Sequence, residues 1–194
     1  MTKIFNRDLN EPMNEVQQNI KNKFIEMTKL NLTDKAAEHS YEEVYPFLLE
    51  DFVGKDGLNM LEVGICCGGT LRALSELFPN SNIYGVDWDL SRLQIDLEQL
   101  SNIKVFKSHQ CDSNFLNNLP MLDFVTEDAS HVMSESIATF ELLEPKLNSG
   151  AMYVIEDIYP EYYNAYYRDG RFDIYDVTDI KGRGDDVLAV YIKK

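Results

Sequence analysis

Residues 61–74 read LEVGICCGGTLRAL. The stretch opens as an apolar strand, turns through Gly64, Gly68 and Gly69, and ends on the helical spacing of Leu71 and Leu74. Its glycine spacing is E-x-G-x-x-x-G-G, not the G-x-G-x-x-G of a dinucleotide site, because Ile65 and Cys66 follow Gly64. Glycine in a strand-to-helix turn lets a ligand approach the backbone closely. In open α/β sheets, ligands sit beyond the carboxyl ends of the strands. Glu62 puts a carboxylate in the same turn, suited to a cationic amino group rather than a pyrophosphate.

Working outward, short apolar runs alternate with helical patterns. The predicted strands are 60–63, 83–87, 103–106, 122–126 and 151–155, and the predicted helices are 70–77, 91–100 and 134–147, with Gly150 as a stop signal. Such alternation predicts βαβ units and a parallel sheet with helices on both faces. The runs 172–177 and 187–192 are joined only by TDIKGRGDD, too short for a helical crossover. They are predicted to pair antiparallel, which makes a mostly parallel, seven-stranded α/β sheet with a C-terminal hairpin. Upstream, residues 11–30 carry Met13, Val16, Ile20, Phe24 and Met27 at helical spacing, so residues 1–31 read as an amphipathic helical segment and 32–194 as the main domain. That helix is expected to pack on the domain edge or to make a dimer contact.

The 194 residues suit one domain, and a hydrophobic share of 44% suffices for its core. Lys and Arg total 18 against 33 Asp and Glu, a net charge of −15. Such a surface repels phosphate backbones and anionic membranes, so neither nucleic acid nor a membrane is an expected partner. The three cysteines, Cys66, Cys67 and Cys111, make no disulfide framework, and a reducing compartment fits them. MTKIFNRDLN lacks a signal-peptide core, and no stretch approaches a membrane span. The expectation is a soluble cytoplasmic protein.

The second strand ends in YGVDWD, with Asp87 23 residues after Gly64. This is near the offset at which an acid meets ribose hydroxyls in Rossmann-type folds. Glycine turn and acid together predict an adenosine-bearing ligand, S-adenosylmethionine (SAM), with Trp88 placed either to stack on adenine or simply to pack. The adjacent Cys66 and Cys67 have the wrong spacing for zinc and are assigned to the loop. The fourth strand ends in TEDASH and the fifth in VIEDIY, so Asp128, Glu156 and Asp157 converge from neighbouring strand ends. Without a basic neighbour in sequence they would repel one another, and a hard divalent cation, Mg²⁺ or else Mn²⁺, resolves that repulsion. His131, three residues after Asp128, is placed either as a general base or as a further metal ligand.

Four blocks resemble the class I SAM-dependent, metal-dependent O-methyltransferases of macrolide sugars, of the mycinamicin and tylosin kind. LTDKAAEHSYEEVY (32–45) resembles that family's T-D-K…H-x-Y…Y segment, and LEVGICCGGTLRAL its E-I-G-x-x-x-G-G-S-L motif. TEDASH resembles D-D-G-S-H, with Glu127 for the first acid and Ala129 for the glycine. GAMYVIEDIY (150–159) resembles G-G-x-Y-V-I-E-D. The resemblance implies a Rossmann-like methyltransferase fold and methyl transfer to a hydroxylated small-molecule acceptor, sugar-bearing by analogy. It implies cofactor contacts from Glu62, Gly64 and Asp87; Gly68 of the same turn, Trp88 and Asp128 are expected beside them. It adds Gln110 and Asp112 through a Q-x-D step, the latter near the adenine amino group. Asp128, Glu156 and Asp157 would hold Mg²⁺, and His131 would be the base. Thr33, Asp34, Lys35, His39 and Tyr41 would lie near cofactor or acceptor, and Arg183, Asp185 and Asp186 match a C-terminal R-x-D-D step. The tyrosine-rich YPEYYNAYYRDGRF (159–172) reads equally as an acceptor lid or an interface of a homo-oligomer. A catechol-like acceptor, or a non-catalytic SAM-binding protein, are the alternatives these residues leave open.

Overall fold

The computed structural model describes residues 11–194 and, as backbone only, a short antiparallel pairing of Lys3–Ile4 with Arg7–Asp8; of Tyr167 and Arg168 only the helical backbone is described. MTKIFNRDLN therefore lies largely outside the described residues, as does the Tyr167 ring. Seven strands form the main sheet: β1 Asn59–Val63, β2 Asn82–Asp87, β3 Ile103–Lys107, β4 Leu122–Glu127, β5 Leu147–Ile155, β6 Asp173–Asp176 and β7 Val187–Ile192. Their spatial order is β3-β2-β1-β4-β5-β7-β6. The first five run parallel, and β7 is antiparallel to both β5 and β6. The strand order reverses between β1 and β4, which opens a crevice at their carboxyl ends.

Both faces of the sheet are buried, as continuous apolar strands require. Met60, Ile83, Phe124, Met152 and Val154 enter one core, while Leu61, Val63, Val86, Val125, Tyr153 and Ile155 enter the other. Helices α1 (Glu15–Lys29), α2 (Tyr45–Leu49) and α3 (Gly69–Leu77) cover the first face. Helices α4 (Ser113–Leu116) and α5 (Met133–Leu143) cover the second. Two further short helices, α6 (Tyr163–Asp169) and α7 (Thr178–Lys181), lie in the C-terminal part. Ile20, Phe24 and Met27 of α1 are fully buried in the shared core. The helix begins at Glu15 rather than residue 11, because Asn14 and Gln17 form a capping box in which each side chain bonds the other's backbone N–H. Among the described residues, no helix is long and apolar enough to cross a membrane.

Three expectations about elements are corrected. Residues 91–100 make no helix beyond the single 3₁₀ turn Leu90–Arg92. Leu93 and Ile95 instead pack against Gly68, Gln94 N–H bonds Cys67 O, and the Asp96 side chain captures Glu98 N–H, an alternative that competes with helix formation. Helix α5 ends at Leu143, and Leu147 already belongs to β5. Gly150 is consequently no helix stop. It lies within β5 at φ +80°, where Leu122 faces Leu147 but Phe124 faces Met152, so the extra residues bulge out.

Candidate functional site

The crevice at the switch point has a volume of about 820 Å³, in the range of small-molecule sites. Glu62, Gly64, Asp87, Trp88, Gln110, Asp128, His131 and Asp157 all line it. The glycine turn is built for close approach. Gly64 sits at φ +85°, and a Cβ there would lie 2.1 Å from Asp128 O, so strand ends β1 and β4 meet through it. Gly68 (φ +90°) starts α3, facing Leu93 and Ile95 rather than lining the crevice. Asp87 Oδ2 accepts from the N–H groups of Ile65 (2.9 Å) and Cys66 (3.2 Å), which fastens the turn to β2. Glu62 is buried, and its Oε2 has no hydrogen-bond partner among the described residues. Burial pushes its carboxyl well above the usual range, with Lys35 pulling the other way. A buried acceptor oxygen without a donor, on a crevice wall, is suited to an incoming ammonium. Trp88 is 72% exposed, so its ring is available at the rim.

Not every expected contact is placed there. Asp112 does not line the crevice: its Oδ1 caps α4 through Asn114 and Phe115 N–H, and Oδ2 accepts from Ser108. Gln110 reaches the crevice wall but is engaged, accepting from Ser130 N–H at 3.2 Å and donating to Glu127 at 3.4 Å. Glu127 is itself buried, which pushes its carboxyl up to about 7. Cys66 and Cys67 are free thiols on the crevice wall. None of the described tyrosines from 159 to 166 lines it, and Tyr166 is buried against Phe172.

One oxygen each of Asp128 and Asp157 converges with His131. Nε2 of His131 lies 3.8 Å from Asp128 Oδ1 and 3.9 Å from Asp157 Oδ2, and these three residues form a potential metal-holding group. His131 and Asp157 both adopt left-handed backbone, φ +55°, a conformation that such residues hold at a cost and that clusters at functional sites. Glu156 stands outside this group. Its carboxylate is held by Tyr45, by Thr126 (2.7 Å) and by Lys35. The acids therefore do have a basic neighbour, 93 residues from Asp128 in sequence: Lys35, whose Nζ lies 2.6 Å from Asp128 Oδ2. The repulsion expected from sequence is partly relieved by the chain's own ammonium.

Lys35 arrives on the 32–45 segment, which folds over the strand ends. Gly69 permits this, since a Cβ there would sit 2.5 Å from Leu32 O. Buried His39 bonds Asp186 at 2.8 Å and approaches Asp157 at 3.2 Å, while Tyr41 donates to Asp157 at 2.6 Å. Lys181 clamps the segment through the carbonyls of Ala36 and His39 and the Glu42 carboxylate. Arg183 ties Asp185 to Glu38. The orienting roles of Asp186 and Lys181 were not read from sequence; the R-x-D-D step was the only signal near them.

No protein-family model matches the chain. A solved structure of the MycE methyltransferase from mycinamycin biosynthesis, in complex with Mg and SAH, superposes with a TM-score of 0.68 at 21% identity, covering 89% of this chain and 55% of that one. The fold is that of the class I methyltransferases. In sequence, the chain is similar to the 8-demethyl-8-α-L-rhamnosyl tetracenomycin-C 2'-O-methyltransferase of Streptomyces olivaceus, 28% identical over 146 residues, 69% of this chain and 37% of that protein. It is also similar to the mycinamicin VI 2''-O-methyltransferase of Micromonospora griseorubida, 30% identical over 103 residues, 51% of this chain and 25% of that protein. The chain thus spans between a quarter and two-fifths of the length of these two relatives.

Proposed function

We propose that the chain is a SAM-dependent O-methyltransferase acting on a hydroxyl of a sugar or glycosylated small molecule. One observation carries the reading: the unpartnered carboxylate oxygen of Glu62 and the Asp128–His131–Asp157 group open onto one crevice. Glu62 would receive the methionine ammonium, the Gly64 turn the body of the nucleoside, Asp87 its ribose hydroxyls and Trp88 its adenine face. Two converging carboxylate oxygens, Asp128 Oδ1 and Asp157 Oδ2, fit a hard divalent cation, Mg²⁺ or Mn²⁺, with the His131 imidazole beside them as base rather than ligand. Asp128 and Asp157 would hold it, with Glu156 as a further ligand if released from Lys35. Bound there, such an ion supplies Lewis acidity that lowers the pKa of an acceptor hydroxyl.

The protein's own part is positional. The crevice holds the acceptor oxygen in line with the sulfonium methyl, and His131 Nε2 takes the hydroxyl proton. The new C–O bond forms as the methyl–sulfur bond breaks, leaving the electron pair on sulfur as the neutral thioether. Tyr41 and the His39–Asp186 pair keep Asp157 oriented. Residues 32–194 would carry this chemistry, with α1 packed into the same core, in the reducing cytoplasm that three free cysteines suit. The charge of −15 favours a small-molecule acceptor over nucleic acid, and a homo-oligomer is compatible with this reading. The test is transfer of labelled methyl from SAM across an acceptor panel of rhamnosylated polyketides, macrolide glycosides and catechols. Transfer to the glycosides supports the reading, transfer to catechols alone moves the acceptor class, and none across the panel removes the activity.

A further inference from the structure

Lys35 is bonded to two of the acids expected to hold the metal, Asp128 and Glu156, and has no part in the chemistry above. Its side chain is 2% exposed, and its Nζ bonds both Asp128 Oδ2, at 2.6 Å, and Glu156 Oε2. The rings of Tyr41 and Tyr45 flank the ammonium at 5.7 and 5.9 Å. The remaining oxygens are divided sharply. Asp128 Oδ1 and Asp157 Oδ2 face His131, whereas Asp128 Oδ2 and the whole of Glu156 face inward, toward Lys35, Tyr45 and Thr126.

We propose that Lys35 is a tethered cation that competes with the divalent ion for Asp128 and Glu156, so that it weakens metal binding while holding the metal-free site together. The inference rests on the metal reading given above. Two cations that share one carboxylate within a few ångströms repel strongly in a partly desolvated site. An ion bound at Asp128 and Asp157 must therefore bind beside the ammonium or displace it. Either course costs affinity that a neutral side chain would restore. In the metal-free protein the same ammonium offsets three carboxylates that would otherwise repel at close range. Lys35 would thus make the ion exchangeable without letting the site fall apart.

The experiment is titration with MnCl2 alone, followed by calorimetry and by the EPR signal of free Mn²⁺, with thermal unfolding in EDTA alongside. Lys35→Met keeps the length and removes the charge. It should bind Mn²⁺ at least tenfold more tightly than wild type, unfold at a lower temperature in EDTA, and regain that loss with Mn²⁺. Lys35→Arg, which keeps the charge, should bind no tighter than wild type. Should Lys35→Met fail to fold without metal, Glu156→Gln is compared with the Lys35→Met/Glu156→Gln double variant, where acid and ammonium leave together; the double variant should again bind at least tenfold more tightly. Equal or weaker binding on losing the charge, with wild type binding Mn²⁺ normally, overturns the competition. No Mn²⁺ binding by any variant, wild type included, overturns the metal reading and this inference with it.

Discussion

Replacing Gly64 with alanine tests the construction of the site at its tightest point. The new Cβ would lie 2.1 Å from Asp128 O and 2.6 Å from Ala129 Cα, both backbone atoms that no rotamer change can move. Relief needs more than an ångström of separation between the ends of β1 and β4. Overpacking of this kind costs about 1–3 kcal/mol. The φ of +85° adds about 1–2 kcal/mol for any residue with a Cβ. The expected loss is about 2–5 kcal/mol in urea unfolding. Gly150→Ala is the matched control: its φ is +80°, but no atom lies within 4 Å of the added carbon. It should lose only the conformational part, about 1–2 kcal/mol. Calorimetry with S-adenosylhomocysteine (SAH) should show binding abolished in Gly64→Ala and unchanged in Gly150→Ala. Equal unfolding losses in the two variants, or undiminished SAH binding by Gly64→Ala, would refute the close-approach argument.

His131→Ala should leave SAH affinity unchanged while turnover on a responsive acceptor drops by roughly 10²–10⁴; unchanged turnover would remove the base assignment. Glu127 gives a pH signature. Its carboxyl titrates near 7 when folded against an ordinary 4.5, so between those values the folded state keeps a proton that the unfolded chain has released. Stability should fall as pH rises through that window, by up to roughly 3 kcal/mol. Glu127→Gln should flatten the decline and be more stable than wild type in urea unfolding at pH 8; a parallel pH profile for the two proteins would contradict this.

The sheet was legible because its strands are buried on both faces, and runs such as 60–63 and 122–126 need no tertiary information to be seen. Strand-end logic then brought Asp128, Asp157, Glu62 and Asp87 to one crevice. What the sequence hid was long-range pairing. Lys35 meets Asp128 across 93 residues, and nothing local to either announces it. The family resemblance implied a cofactor contact from Asp112; what the structure shows of it is a local role, its side chain capping α4 as this residue type prefers to do. The supposed helix 91–100 failed for a related reason: Asp89 and Asp96 offered side-chain turns, and the glycine loop offered a surface on which Leu93 and Ile95 could pack. Gly150 carried a genuine positive-φ signal, but for a bulge within β5 rather than a helix end.

The measurement that bears most directly on the central claim is calorimetric titration of the purified protein with SAH, repeated on Glu62→Gln. The account predicts saturable binding by wild type. Loss of the carboxyl that a bound ammonium would draw into its ionised form should weaken that binding tenfold or more, in line with about 1.5–3 kcal/mol for a hydrogen bond to a charged group. No binding by wild type, or equal binding by the two proteins, would contradict it.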